Sequence, residues 1–182
     1  MAFDARTITL RDGREAVLRL ARKEDAAEML QFVIDTAGET DFLNNYPEER
    51  RDMTVAQEEA FIRRMNEDEH MLFILCEAEG RIAGNCMLQV RPHLKLCHRG
   101  TIGISVRKAY WGQGIGTAMF EALIAQGRQW GLMLLELEFY EGNSRARGLY
   151  EKMGFRIVGV HPDAARLKDG TLLNEYLMQL RL

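Results

Sequence analysis

Residues 106–117 read Val106-Arg107-Lys108-Ala109-Tyr110-Trp111-Gly112-Gln113-Gly114-Ile115-Gly116-Thr117, a run that leaves an apolar strand and enters a helical pattern. Three alternating glycines remove every second Cβ, so a ligand can approach the main chain closely. The helix expected to begin at Gly114 has unpaired first amides and directs the positive end of its dipole at the same gap. Both effects favour a phosphate or diphosphate. A P-loop requires Lys after the last glycine, and Thr117 stands there instead. A dinucleotide turn is a closer imitation, because Glu136 and Glu138 lie about 20 residues on, where a ribose-binding acid would sit. Its third glycine, however, would need a different spacing.

Outward from this turn, the pattern predicts strands on both sides. Upstream, Thr7 to Leu10 and Ala16 to Leu20 form a hairpin around Asp12-Gly13. A helix from Lys23 to Thr36 is expected to end at Gly38. Residues 38–53 have no period and read as a loop, and a second helix opens with Thr54 as N-cap and Gln57 completing a capping box. Met71 to Ala78, Arg81 to Val90 (with a bulge expected at Gly84) and Thr101 to Val106 are strands; the first is apolar almost throughout, as in a sheet covered on both faces. Downstream come a helix from Gly114 to Trp130, a strand from Leu132 to Phe139, a short helix from Ser144 to Met153, and closing strands Phe155 to Val160 and Leu172 to Leu180.

Composition sets the frame. The 182 residues are 47% hydrophobic and 28% charged, which suits one globular domain spanning 1–182. No apolar run is long enough for a membrane helix and no signal-peptide core opens the chain, so a cytoplasmic protein without a membrane partner is expected. Cys76, Cys86 and Cys97 form no CxxC pair and are read as reduced thiols. A net charge of -3 argues weakly against nucleic acid as a partner. His93, Cys97 and His98 are too few and too irregular for a zinc site, and no metal is expected.

The glycine run, Trp111-Gly112-Gln113-Gly114-Ile115-Gly116, resembles the Gln/Arg-x-x-Gly-x-Gly/Ala motif of the GCN5-related N-acetyltransferase (GNAT) superfamily, with Trp111 where Gln or Arg is usual. A second block, Asn143-x-x-Ala146-x-x-Leu149-Tyr150-x-x-x-Gly154-Phe155, is similar to that family's later motif. The two span residues 101–155, which would be the cofactor-binding core. The resemblance implies an α/β fold: a mixed, largely antiparallel sheet with a splayed parallel strand pair and helices on both faces. It implies acetyl-CoA as co-substrate and transfer of its acetyl group to a primary amine, a small molecule or a protein N-terminus, by direct attack through a tetrahedral intermediate. A coenzyme A-binding sensor that no longer catalyses, and more remotely a dinucleotide oxidoreductase, are the alternatives.

By the same resemblance, Ile104, Ser105 and Val106 pair with the pantetheine arm, and Gln113, Gly114, Ile115, Gly116 and Thr117 hold the diphosphate. Asn143 caps the short helix and contacts the arm, Tyr150 is the general acid, and Glu138 is the general base, with Glu136 on the same strand face. Arg107, Lys108, Arg145 and Arg147 are available to phosphate charge or to solvent. The acceptor is expected to enter over residues 38–53, where Glu39, Asp41, Glu48 and Glu49 accompany Phe42 and Tyr46. A homodimer is compatible with the sequence.

Overall fold

The computed structural model describes residues 3–182. The hairpin strands are Arg6–Thr9 (β1) and Glu15–Leu20 (β2), and Gly13 takes the turn at a φ of 88°. Two helices follow, Ala26–Glu39 (α1) and Val55–Glu67 (α2). In α2 the Thr54 hydroxyl accepts from the Gln57 amide, while the Gln57 side chain accepts from the Thr54 amide, completing the expected capping box. The end of α1 is different from the sequence expectation. Gly38 lies inside the helix, which continues to Glu39, and Pro47 of the next segment packs close beside it.

Met71–Ala78 (β3), Arg81–Val90 (β4) and Arg99–Val106 (β5) run antiparallel in sequence. The bulge falls at Ala83, one residue before Gly84, where the β3–β4 register shifts between Cys76 and Glu77. Ile115–Gln129 (α3), Leu134–Tyr140 (β6) and Ser144–Lys152 (α4) come next. The last pair is Arg156–Arg166 (β7) and Leu172–Arg181 (β8). β7 runs six residues past the expected end at Val160, through Pro162, which an edge strand tolerates.

The sheet order is β1-β2-β3-β4-β5-β6-β8-β7, antiparallel except for β5 and β6. Period-two alternation in β3 feeds two cores. Leu72, Ile74 and Cys76 face α3 and Tyr150 of α4, whereas Phe73 and Leu75 face Met29 and Phe32 of α1 and Ile62 and Met65 of α2. Cys76 and Cys86 are buried, and burial pushes both thiols well above the usual range. Cys97 is exposed. Among the described residues no helix is long and apolar enough to cross a membrane.

Candidate active site

β5 and β6 pair at only three rungs, Arg99–Leu134, Gly100–Leu135 and Thr101–Glu136, and then part. A cleft of about 960 Å³ opens where they separate. The direction of the free main-chain groups follows from alternation. His98 O accepts from β6-side amides (Met133 and Leu134), whereas Arg99 O accepts from Arg91 on the β4 side. Even-numbered residues of β5 therefore turn their main chain to the splay, which leaves both main-chain groups of Ile104 and the amide of Val106 open there, Val106 O being taken by the Trp111 indole. Ser105 turns its carbonyl to β4, beside Gly84, so its main chain is not available on that edge.

At the end of β5 the glycine turn feeds α3. Gly114, at a φ of 96°, is the N-cap, in a conformation that favours glycine, and side chains at Gly112 or Gly114 would project into open space. Ala118 N–H makes the first helical bond, to Gly114 O at 3.1 Å. The amides of Ile115, Gly116 and Thr117 are left for a ligand, and all three residues line the cleft. This open, donor-rich helix start fits a diphosphate. Gln113 is elsewhere: its amide points at Tyr110 O (3.4 Å), its carbonyl accepts from Arg11 N, and its side chain accepts from Asp12 N. It braces the β1–β2 hairpin and does not line the cleft.

Trp111 uses its indole N–H to bond Val106 O at 2.7 Å, and the Arg145 guanidinium lies 4.8 Å above its ring. Lys152 Nζ donates to Thr117 Oγ1 at 3.2 Å. With Arg11, these side chains gather positive charge at the glycine turn. Arg107, by contrast, is buried: it donates to Ile82 O and to Asp35, and stacks on Phe32. Lys108 N donates to Glu39 at 2.7 Å, and Arg147 pairs with Glu151.

The second motif meets the first across the cleft. Asn143 Oδ1 accepts from Ala146 N at 3.2 Å, which makes it the N-cap of α4. Tyr150 is buried against Phe120 and Phe139, with ring centroids 5.4 and 5.9 Å away. Its hydroxyl has no hydrogen-bond partner among the described residues, and burial pushes its pKa up to about 12. Tyr150 lines the cleft on the α3–α4 side of the sheet. Glu138 lines it from the other side, since β6 alternates and Phe139 is the neighbour that packs on Tyr150.

Glu136 and Glu138 share a strand face but not an environment. Burial alone would raise the Glu136 carboxyl, but Arg99 and Gln179 both donate to it and hold it below the usual glutamate range. Glu138 is exposed to the cleft, with Glu175 and Tyr140 nearby on the same face.

The acidic reading of residues 38–53 needs correction. Glu48 pairs with Lys168 in the β7–β8 turn, and Glu49 accepts from Tyr46 N at 2.6 Å. Of the four acids only Glu39 lines the cleft, beside Phe42, Leu43, Asn45 and Arg50. Arg50 and Lys152 also line the cleft. Arg50 stands outside both motifs and Lys152 at an unspecified position of the second, so only the folded chain brings them there.

A family model described as "Acetyltransferase (GNAT) family" matches residues 35–155. The chain belongs to the GNAT family. A relative from Pseudomonas aeruginosa, an L-methionine sulfoximine/L-methionine sulfone acetyltransferase, is 27% identical over 170 residues, which cover 92% of this chain and 95% of the relative. The crystal structure of a GNAT acetyltransferase from Streptococcus pneumoniae superposes with a TM-score of 0.85 at 27% identity, covering 92% of this chain and 99% of that one. A Salmonella typhimurium protein solved with its cofactor acetyl-CoA shares the fold at a TM-score of 0.78 and 20% identity, over 92% of this chain and 94% of that one. This GNAT protein is an acetyl-CoA-dependent N-acetyltransferase, and the donor-lined cleft suits that co-substrate.

Proposed function

We propose that residues 1–182 act as one catalytic domain that moves the acetyl group of acetyl-CoA to a primary amine by direct attack. The observation that carries this reading is the placement of Glu138 and Tyr150, which line one cleft from opposite faces of the sheet where β5 and β6 part. The acyl arm lies along the open edge of Ile104 and Val106, and the diphosphate takes the amides of Ile115, Gly116 and Thr117. Glu138 accepts a proton from the incoming ammonium, directly or through water. The amine nitrogen then bonds to the thioester carbon, giving a tetrahedral adduct, and the carbon–sulfur bond breaks. Tyr150, held protonated by its burial, donates its proton to the departing sulfur. The name of the Pseudomonas aeruginosa relative gives two small molecules as acceptors, which favours a small-molecule amine over a protein N-terminus.

The test follows thiol release across an amine panel. Tyr150→Phe is expected to lower kcat by about 10²-fold or more while leaving acetyl-CoA affinity nearly intact. Glu138→Gln is expected to lower kcat while leaving acetyl-CoA affinity nearly intact. Acetyl-CoA binding without turnover on any amine would overturn the reading in favour of a sensor.

A further inference from the structure

We infer that Arg50 binds a carboxylate of the acceptor, so that the amine taken by this cleft belongs to a free amino acid or a close analogue; the inference rests on the acetyl-transfer reading above. Arg50 ends the 3-10 turn Pro47–Arg50 and lines the cleft. Its guanidinium is held, not free to wander: one nitrogen donates to Asn45 Oδ1 at 2.8 Å and another lies 3.1 Å from Met53 Sδ. A guanidinium has five N–H donors, so most of its capacity is unspent. The buried Arg19 and Arg107 and the partly exposed Arg99 each hold an acid: Arg19 has Asp25 and Glu77, Arg99 has Glu136, and Arg107 has Asp35. Among the described residues Arg50 has no ion-pair partner. The acid that feels its charge is Glu58 of α2, which is buried and lies beyond ion-pair distance. Burial raises the Glu58 carboxyl above the usual glutamate range, against the opposing pull of Arg50, and no ion pair joins the two.

Charge is divided along the cleft. Arg11, Arg145 and Lys152 stand at the glycine turn, and Arg50 is the cation at the acceptor end. Glu39 and Glu138 line the same cleft, which therefore offers an acid to an ammonium and a forked donor to a carboxylate. Val33, Phe42 and Leu43 complete the wall, a surface suited to an uncharged side chain. The loop that carries Arg50 is fastened from outside. Lys168 pairs with Glu48 and stacks over Tyr46 at 4.1 Å, while Lys168 N donates to Tyr46 Oη at 3.1 Å. Such anchoring fixes where the guanidinium sits before any acceptor arrives.

The experiment uses the full chain and a set of free L-amino acids that includes L-methionine sulfone, each beside its α-amide and the amine left by decarboxylation. Free acids are expected to exceed their amides in kcat/KM by at least about tenfold. Arg50→Met should cut kcat/KM for the free acid by about 10- to 100-fold, chiefly through KM, and for the amide by less than about twofold. Arg50→Lys should restore part of the loss, and KM for acetyl-CoA should not move. Equal losses on acid and amide, or amides and decarboxylated amines that are as good as acids, overturn the carboxylate site while leaving acetyl transfer standing. Absence of thiol release with any amine overturns the transfer reading instead. In that case the carboxylate site is judged by binding: stabilisation of the protein by free amino acids but not amides, lost in Arg50→Met, sustains it, and no such difference overturns it.

Discussion

Arg99 and Glu136 are joined side chain to side chain at the point where β5 and β6 separate. Arg99 Nε donates to Glu136 Oε2 at 2.9 Å, a second guanidinium nitrogen reaches Oε1, and Gln179 adds a bond at 2.6 Å. Thr101–Glu136 is the last paired rung, so this fork fixes where the cleft begins. We expect Glu136→Gln to cost about 1–2 kcal/mol, at the low end for a charge-assisted fork because Arg99 is one-third exposed. The Glu136 carboxyl is held below its unfolded pKa, so its contribution is present above that value and fades as pH falls through the folded one. Urea melts from about pH 7 to 3 should therefore show a shallower acid loss in Glu136→Gln than in the wild type. Its activity near neutrality should persist, in contrast to Glu138→Gln.

Gly116 meets Leu149 across the α3–α4 contact. A Cβ at Gly116 would fall 2.8 Å from Leu149 Cδ2, closer than packed carbons allow. Because that carbon is the free end of the Leu149 side chain, Gly116→Ala should be met by a turn of Leu149 and destabilise by about 1 kcal/mol or less, with a modest rise in KM for acetyl-CoA. The double variant Gly116→Ala/Leu149→Ala relieves the clash and should lose less than the two single losses combined. Additive losses in denaturant melts would place the strain elsewhere.

Trp111 links the two motifs through one indole. Its N–H holds Val106 O and its ring carries Arg145. Trp111→Phe preserves a face for the guanidinium but drops the hydrogen bond, whereas Trp111→Ala drops both. Titration with acetyl-CoA should show weakening by about threefold to tenfold for Trp111→Phe and by more for Trp111→Ala. The extra loss in Trp111→Ala should shrink at high salt, since it concerns Arg145 and phosphate charge. Identical affinities in the two variants would remove Arg145 from cofactor binding.

What could be read in the sequence was local. The Thr54–Gln57 cap, the hairpin at Gly13, the Asn143 cap and the glycine turn each depend on a few neighbouring residues, and each stands where expected. Contacts distant in sequence were not legible. Glu136 and Glu138 are alike by period, and they differ because Arg99 and Gln179, 37 and 43 residues away, engage only the first. The acids of residues 38–53 read as a reception site for a cationic amine because nothing nearby reveals that Lys168 takes Glu48, 120 residues on. Gly38 reads locally as a stop, yet glycine at ordinary helical angles only weakens a helix, and α1 runs through it to Glu39.

Tyr150 gives the sharpest pH test. Its ring is packed by Phe120 and Phe139, but its hydroxyl bonds nothing among the described residues, so Tyr150→Phe should leave Tm near neutrality within about 2 °C of the wild type. Folded Tyr150 titrates at about 12 against a reference of 10.0, so it stays protonated through the range in which the unfolded tyrosine ionises. A raised folded pKa contributes fully below the unfolded value and is lost as pH climbs toward the folded one. The wild type should then lose roughly 2 kcal/mol more than Tyr150→Phe between about pH 10 and 12, read by chemical denaturation. In turnover the same proton should remain available, and kcat should show no alkaline fall below about pH 10 that Tyr150→Phe abolishes. A fall centred near pH 8 or 9 and absent in the variant would mean that a readily ionised phenol, not a buried one, supplies the proton to sulfur.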